Sequence, residues 1–294
     1  MDLSSTVPGG RRRILLLGAS GFVGGGLWAS LAGRHDVVGT CSQREVPGLL
    51  RLDLRDEPVL ETLVRQDFDV VIHCVGLVDL PSAEAAPELA HRVNVESVRV
   101  VRDALAGTPT KLVLLSSDNV FDGTRDHYTE LDPPAPVNVY GRTKVAAERV
   151  LAEDPQALVV RIPMVFGRSP WRDAFLRRFA RPQTPAQTDL WCAPVYLPSL
   201  GPALETLWNH TGLVHYGGRE VVTRFELMSR TQRALDLPTE IVPVRNNDAF
   251  TGVRRPVRLV LRSVRHDLRG PVLDPALADM SDHAGTGASN VTDR

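Results

Sequence analysis

The apolar run Arg13–Leu17 (RILLL) leads directly into Gly18-Ala-Ser-Gly21-Phe-Val-Gly24, and helix-compatible sequence follows over Phe22–Ala32. A short, continuously apolar run that stops at a glycine reads as a strand buried on both faces. One glycine after such a strand permits a tight turn. A second leaves room for phosphates against the backbone, and a third lets helix and strand approach closely. The helix amino terminus then offers free N–H groups and a partial positive charge to an anion. Glycines at this spacing also occur in plain loops, so the strand before them and the helix after them carry the weight. A chain that opens this way is constrained to a parallel α/β sheet with a nucleotide site at its carboxyl edge.

The rest of the first half keeps that pattern. Strand-like runs recur at Asp36–Cys41 (DVVGTC), Leu50–Leu54, Asp69–Val75 (DVVIHCV), Lys111–Ser117 (KLVLLSS) and Ala157–Ile162 (ALVVRI). Helical spacing covers Val59–Arg65, one long helix over roughly Ala83–Leu105, and Val139–Ala152. Apolar strands alternating with helices predict an α/β fold, a Rossmann-like doubly wound parallel sheet covered on both faces. Beyond Gly167 the sequence loosens into Pro, Trp and Arg (SPWRDAFLRRFARPQTPAQ), as suits a smaller C-terminal substrate lobe over the strands' carboxyl ends. The expected division is a flexible arm over 1–12 and a dinucleotide-binding Rossmann domain over 13–168. A mainly substrate-binding lobe over 169–281, able to return an element to the sheet, and a disordered polar tail over 282–294 follow.

Composition removes several alternatives. A formal net charge of −1 argues against a nucleic-acid partner. Three scattered cysteines make neither a disulfide framework nor a CxxC motif, and eight histidines show no ligand spacing, so no metal is expected. Arg11-Arg12-Arg13 before Ile14–Leu17 imitates a signal peptide, but the apolar run ends after four residues, short of the roughly 7–15 needed. No stretch reaches the ~20 apolar residues of a membrane span. The expectation is a cytoplasmic protein acting on a small molecule, with a homodimer left open.

The end of the second strand bears on cofactor choice. An acid there would hold the adenosine ribose and repel a 2′-phosphate. Here the run is Thr40-Cys41-Ser42-Gln43-Arg44, with no carboxylate before Glu45. Ser42 can donate a hydrogen bond and Arg44 can pair with the extra phosphate, which favours NADP(H); a solvated surface arginine is the competing reading. Asp53, after the third strand, is placed to meet the adenine edge, though a plain turn aspartate reads the same. Ser20, Phe22 and Val23 in the glycine turn, with Leu54, Val75, Gly76 and Ile162 at strand ends, complete the expected cofactor contacts.

Tyr140 and Lys144 sit four apart on a predicted helix, hence on one face. A phenol with a reference pKa near ~10 is a poor acid–base group at neutral pH. An adjacent ammonium, together with the charge of an oxidised nicotinamide, favours phenolate and is expected to lower that pKa. Lys144 can also hold the nicotinamide ribose. The fifth strand ends at Ser116-Ser117-Asp118, where Ser117 can polarise the same carbonyl oxygen; a strand-end turn residue is the bland alternative. Each signal alone is weak. Their agreement in order and in element is what points to a carbonyl reductase.

The runs GASGFVG, VIHCVGLVD, RVNVESV, LLSSDNVFDG, PVNVYGRTKVAAE and VVRIPMVFG carry a family resemblance. They resemble extended short-chain reductases of the dTDP-4-dehydrorhamnose reductase group, and GLVHYGGREVVTRFELM and RRPVRLVL resemble the same group's C-terminal half. The likeness spans roughly residues 13–265, and SDNVFDG with VNVYGRTK is its most specific part. It implies that Ser117, Tyr140 and Lys144 are the catalytic residues. It also implies that Asn94 lies on the helix beside the active site and that the substrate is a nucleotide-linked 4-keto-6-deoxy sugar. Asp79, Asp118, Asn119, Met164 and Arg255 are the expected substrate contacts. Two departures stand out: Asn119 replaces the group's usual Tyr, and Met164 its usual Trp. No acidic pair follows Ser117 of the kind that sugar-nucleotide dehydratases use. Arg254 or Arg255 can clamp a diphosphate, and Trp171 or Trp191 can stack on a base, although a basic surface and lobe packing explain them equally well. His73 reads as a core histidine. Two further readings share the fold: a non-catalytic regulatory subunit, like that of methionine adenosyltransferase, which this group resembles, and an epimerase retaining NAD.

Overall fold

The computed structural model describes residues 10–43, 45–246 and 252–282. The first half contains β1 (Arg13–Leu17), α1 (Phe22–Leu31), β2 (Asp36–Cys41), β3 (Leu50–Arg51), α2 (Glu57–Val64) and β4 (Val70–His73). Next come α3 (Leu80–Ala85), α4 (Pro87–His91), a π-helical turn (Arg92–Glu96), α5 (Ser97–Leu105), β5 (Lys111–Ser117), α6 (Val139–Val150) and β6 (Ala157–Ile162). The remainder supplies β7 (Val165–Phe166), β8 (Gln183–Gln187), β9 (Trp191–Cys192), β10 (Val195–Tyr196), α7 (Leu197–Leu207) and β11 (Gly212–His215). It ends with β12 (Val222–Thr223), α8 (Arg224–Ala234), β13 (Glu240–Val244), β14 (Arg258–Leu259) and α9 (Leu273–Asp282).

The main sheet is parallel throughout, in the order β11-β6-β5-β4-β1-β2-β3. The order reverses between β1 and β4, the point at which such sheets open a crevice for ligands. Both faces are covered, which is why the strands read as unbroken apolar runs. Ile14 and Leu16 pack with Leu27 of α1 and Leu204 of α7. Leu15 and Leu17 pack on the opposite side with Leu60 of α2 and Val101 of α5. All four β1 side chains are fully buried, each worth roughly 1.5–3 kcal/mol of apolar transfer.

The carboxy-terminal half contributes β11 to this sheet and otherwise folds over its carboxyl edge. There β12, β9 and β14 form a small mixed sheet, and β8 pairs with β13. A separate core, including Phe166, Phe175, Leu227 and Met280, holds the lobe together. Among the described residues no helix is long and apolar enough to cross a membrane.

Several boundaries depart from the sequence reading. The single long helix is three, because Pro81 and Pro87 each open a new helix and the chain then widens into the π turn. β3 and β4 are shorter than expected; the residues beyond them, Leu52, Leu54, Cys74 and Val75, line the ligand crevice as irregular backbone. The last residue of the expected arm is anchored: Arg12 N–H donates to His35 Nδ1 at 3.2 Å and its guanidinium lies 5.1 Å from the Trp208 ring centre. Asp282 closes α9, while residues 1–9 and 283–294 lie outside the described set.

Candidate active site

A cleft of about 590 Å³ runs along the carboxyl ends of β1, β2, β4, β5 and β6 and is roofed by the lobe. Its floor begins at the glycine turn. Gly18 adopts φ +89°, a backbone state that favours glycine. A Cβ on Gly24 would lie 2.1 Å from the Gly18 carbonyl oxygen, so only glycine lets α1 sit this close to β1. Gly18 N–H donates to Thr40 Oγ1 at 3.0 Å, which ties the turn to the end of β2. Ser20, Gly21, Phe22 and Val23 line the cleft beside them, and the first N–H groups of α1, having no acceptor within the helix, start there. The cradle fits a diphosphate: Gly18, Gly21 and Gly24 line it, together with the start of α1.

Ser42, Leu54, Val75, Gly76 and Ile162 also line the cleft. Three of the expected cofactor residues stand elsewhere, and a fourth is not among those described. Arg44 lies outside the described residues. Asp53 is absent from the cleft lining; its carboxylate is gripped by Arg55 Nε at 2.9 and 3.1 Å, and that bond holds its pKa down at about 2. Asn94 is buried in the π turn, where its Oδ1 accepts from Leu77 N–H at 2.7 Å and its Nδ2 donates to Thr143 Oγ1 at 2.8 Å. It braces the wall of the cleft from behind. Lys144 is buried beneath the floor, its ammonium donating to the Leu115 carbonyl at 2.7 Å.

Ser117 ends β5 and Tyr140 stands in the first turn of α6, whose start is capped by Asn138 Oδ1 accepting from Gly141 N–H at 2.8 Å. Both line the cleft, where the Ser117 hydroxyl also donates to Asp118 Oδ1 at 3.1 Å. The Tyr140 phenol is not lowered, contrary to the sequence expectation. Burial pushes it up to about 12, the Ser117 hydroxyl opposes that, and the charge of Asp118 adds to it. The Lys144 ammonium is turned onto the Leu115 carbonyl and itself pushed down to about 8 by burial, so it does not outweigh desolvation at the phenol. The result is a phenol that stays protonated, the form a proton donor requires.

Asp118 and Asn119 follow in a single 3-10 turn. Asp118 is buried, and desolvation lifts its carboxyl to about 6 against hydrogen bonds from Ser117 and Asn119. Asn119 Nδ2 donates to Asp118 Oδ1 at 3.0 Å. Met164 and Arg255 line the cleft as expected, but Asp79 does not: it caps α3, accepting from Ser82 N–H at 3.0 Å and Ser82 Oγ at 2.6 Å. His73 is a buried core histidine, bonded to Ser97 Oγ at 2.9 Å, and burial lowers it to about 3. Trp171 packs on Trp28 with ring centres 4.9 Å apart, whereas Trp191 opens onto the cleft.

The roof holds residues that the sequence reading missed. Arg178 and Arg224 line the cleft with Arg255. None of the three has an ion pair with a carboxylate among the described residues. Burial and then the charges of Arg224 and Arg255 push Arg178 down to about 10. Burial lowers Arg224 too, with Arg255 adding to that effect and the charge of Asp118 opposing it. No spacing in the sequence links positions 178, 224 and 255; only the fold gathers them. The three cysteines are free, and all three border the same cleft.

Sheet order and cleft define the class first: a Rossmann-like α/β protein whose ligand crevice lies under a carboxy-terminal lobe. Within that class the chain belongs to the RmlD substrate binding domain family, whose profile matches residues 12–274. It is 32% identical over 266 residues to dTDP-4-dehydrorhamnose reductase of Mycolicibacterium smegmatis, covering 86% of this chain and 79% of that one. It is 28% identical over 278 residues to methionine adenosyltransferase 2 subunit beta of Danio rerio, covering 88% and 85%. The crystal structure of dTDP-4-dehydrorhamnose reductase from Bacillus anthracis in complex with NADP has the same fold, with a TM-score of 0.82 at 22% identity over 93% of this chain and 99% of that one.

Proposed function

We propose that the protein is an NADPH-dependent reductase of a ketone carried on a nucleoside-diphosphate sugar, with the C4 keto group of a dTDP-type 4-keto-6-deoxyhexose as its target. One observation carries the reading. Ser117 and Tyr140 share a single cleft with a glycine cradle and with three arginines that have no ion pair to a carboxylate among the described residues. The cradle would hold the cofactor diphosphate, and Ser42 would meet the ribose end. When bound, the nicotinamide supplies the hydride.

The chain's own residues do the rest. Ser117 Oγ orients the substrate carbonyl, and Tyr140 gives its phenolic proton to that oxygen as charge develops there. Lys144 balances the phenolate left behind. Arg178, Arg224 and Arg255 take the substrate's diphosphate, an anion that offsets their mutual repulsion. Asn119 and Met164 border the sugar, where the dTDP-rhamnose group has aromatic rings, so a sugar other than the rhamnose precursor is expected to turn over best.

The reading is tested by following NADPH oxidation against a panel of nucleotide-linked keto sugars. Efficient reduction of a nucleotide-free ketone, with every nucleotide-linked sugar ignored, would remove the substrate assignment and leave only the chemistry. The similarity to methionine adenosyltransferase 2 subunit beta supports a second reading, a regulatory subunit. That one predicts cofactor binding with no turnover on any ketone, and a complex with a catalytic partner.

A further inference from the structure

We infer that Glu148 is a positioning residue for this chemistry: braced by Arg161 and Ser116, its carboxylate stands one helical turn beyond Lys144 and keeps that ammonium charged beneath Tyr140. The inference rests on the roles given above to Tyr140 and Lys144.

The chain contains only two lysines, Lys111 and Lys144, among 34 basic residues, so nearly every cation is an arginine. Both lysines are buried. Lysine is the basic side chain whose charge burial can remove, and Lys144 sits where that matters. Tyr140, Lys144 and Glu148 follow one another at intervals of four along α6, on one stripe of the helix.

Glu148 is held on all sides. Its Oε1 accepts from Ser116 Oγ at 2.5 Å and from Arg161 Nε at 2.9 Å, and its Oε2 accepts from Arg161 Nη2 at 2.6 Å. Behind Arg161, His215 Nδ1 faces the Arg262 carbonyl at 3.0 Å and must donate there. Its Nε2 is therefore the unprotonated nitrogen that accepts from Arg161 Nη1 at 3.3 Å. Burial lowers His215 to about 4, so it adds no charge at neutral pH. The carboxylate is fixed by bonds that reach from β5 through β6 to β11.

The groups around Lys144 come from three elements. β4 contributes His73, neutral because burial lowers it to about 3, and the residue just beyond it, Cys74, is a thiol pushed up to about 12. β5 contributes the Leu115 carbonyl. α6 contributes Tyr140, protonated, and Glu148. Burial drives Lys144 down to about 8, and the leading opposing influence is the charge of Glu148. Replacing that carboxylate by an amide leaves burial unopposed, and the ammonium is then lost at lower pH.

The experiment needs no turnover. The full-length protein is labelled with [13Cε]lysine and titrated by NMR; it gives two signals, and Lys111→Arg assigns them. The wild-type Lys144 midpoint is expected near 8. In Glu148→Gln it should fall by ~1 pH unit or more, whereas Glu148→Asp, which keeps the charge, should restore most of the difference. Ser116→Ala removes a brace without removing charge and should leave the midpoint within ~0.3 unit of wild type. An unshifted Glu148→Gln midpoint overturns the inference. Should that variant not fold, Arg161→Gln frees the carboxylate from its counterion and must raise the midpoint; a midpoint that stays or falls overturns the inference equally. In assays the alkaline limb of kcat should follow the Lys144 midpoint. A lysine shift in a protein that reduces no ketone upholds the coupling and rejects the reductase reading. An active enzyme with an unshifted lysine does the reverse.

Discussion

The floor and the roof of the cleft are built on opposite principles. On the floor the polar groups are engaged within the protein: Gly18 N–H on Thr40, Asp118 with Ser117 and Asn119, and Lys144 on the Leu115 carbonyl. On the roof, Arg178, Arg224 and Arg255 repel one another, and none has a carboxylate within ion-pair distance among the described residues. A satisfied network holds its own geometry, whereas a cluster of like charges is stable only because the surrounding fold over-determines it. The floor is therefore suited to chemistry that needs fixed positions, and the roof to recognising an anion.

The largest effect should come from the floor. Tyr140→Phe removes the proton donor and a phenol that burial already keeps protonated, while leaving the ring's packing against Val139 and Ala83. Turnover should fall ~10²–10⁴-fold, with NADPH affinity unchanged by fluorescence titration. Turnover within about threefold of wild type would mean that the floor does not hold the acid.

The roof should respond in a different parameter. Arg224→Ala removes one charge-assisted contact worth roughly 1.5–3 kcal/mol. KM for a nucleotide-linked substrate should rise ~10–100-fold, while kcat and NADPH affinity stay near wild type. Arg178→Ala and Arg255→Ala should raise KM in the same range, because each likewise leaves two guanidinium groups. If Arg224→Ala weakened NADPH as much as substrate, the division between floor and roof would be wrong.

That division also marks what the sequence made legible. DVVGTC, KLVLLSS and ALVVRI match β2, β5 and β6 to the residue, because strands buried on both faces write themselves as apolar runs with polar ends. The order of glycine turn, strand-end serine and YxxxK leads to one cleft because each lies at the carboxyl edge of the sheet. The π turn was not legible: it exists because Asn94 bonds to Leu77 and Thr143, contacts that only the fold creates. At Asp53 the deciding contact is local: Arg55, two residues on, captures the carboxylate. Arg178 and Arg224 carry no local signal at all. In the sequence each looks like a solvated arginine, and their meaning lies in converging.

A smaller effect, in stability, tests the buried carboxylate of Asp118 on the floor. Burial lifts Asp118 from its ordinary 3.8 to about 6, so the folded state binds its proton more tightly than the unfolded chain does. Stability should fall as pH rises from about 4 to 6, and the cost should persist above 6. Asp118→Asn keeps an acceptor for Ser117 and removes the charge. It should be more stable than wild type at pH 8 by on the order of 1–3 kcal/mol, with the gain gone at pH 4. Urea unfolding at both pH values checks this. Equal stability at pH 8 would show that Arg224, rather than hydrogen bonding alone, already compensates the buried carboxylate.

The smallest effect concerns the far end of the floor, where β2 ends and the cofactor's adenosine ribose would rest. Thr40 is committed to the glycine turn through Gly18 N–H. Ser42 opens onto the cleft, and the nearest carboxylate in sequence, Glu45, is turned onto Arg51 at 3.0 Å. Among the described residues no acid at this end lines the cleft to grip the ribose hydroxyls or repel a 2′-phosphate, so NADPH should bind more tightly than NADH. Ser42→Ala deletes one hydroxyl donor, worth about 0.5–1.5 kcal/mol, and should weaken NADPH ~2–10-fold while leaving NADH unchanged. Titration of both cofactors into both proteins separates the cases. If the two cofactors lost affinity equally, Ser42 would be serving the shared ribose or the turn itself, and discrimination would have to come from another part of the floor.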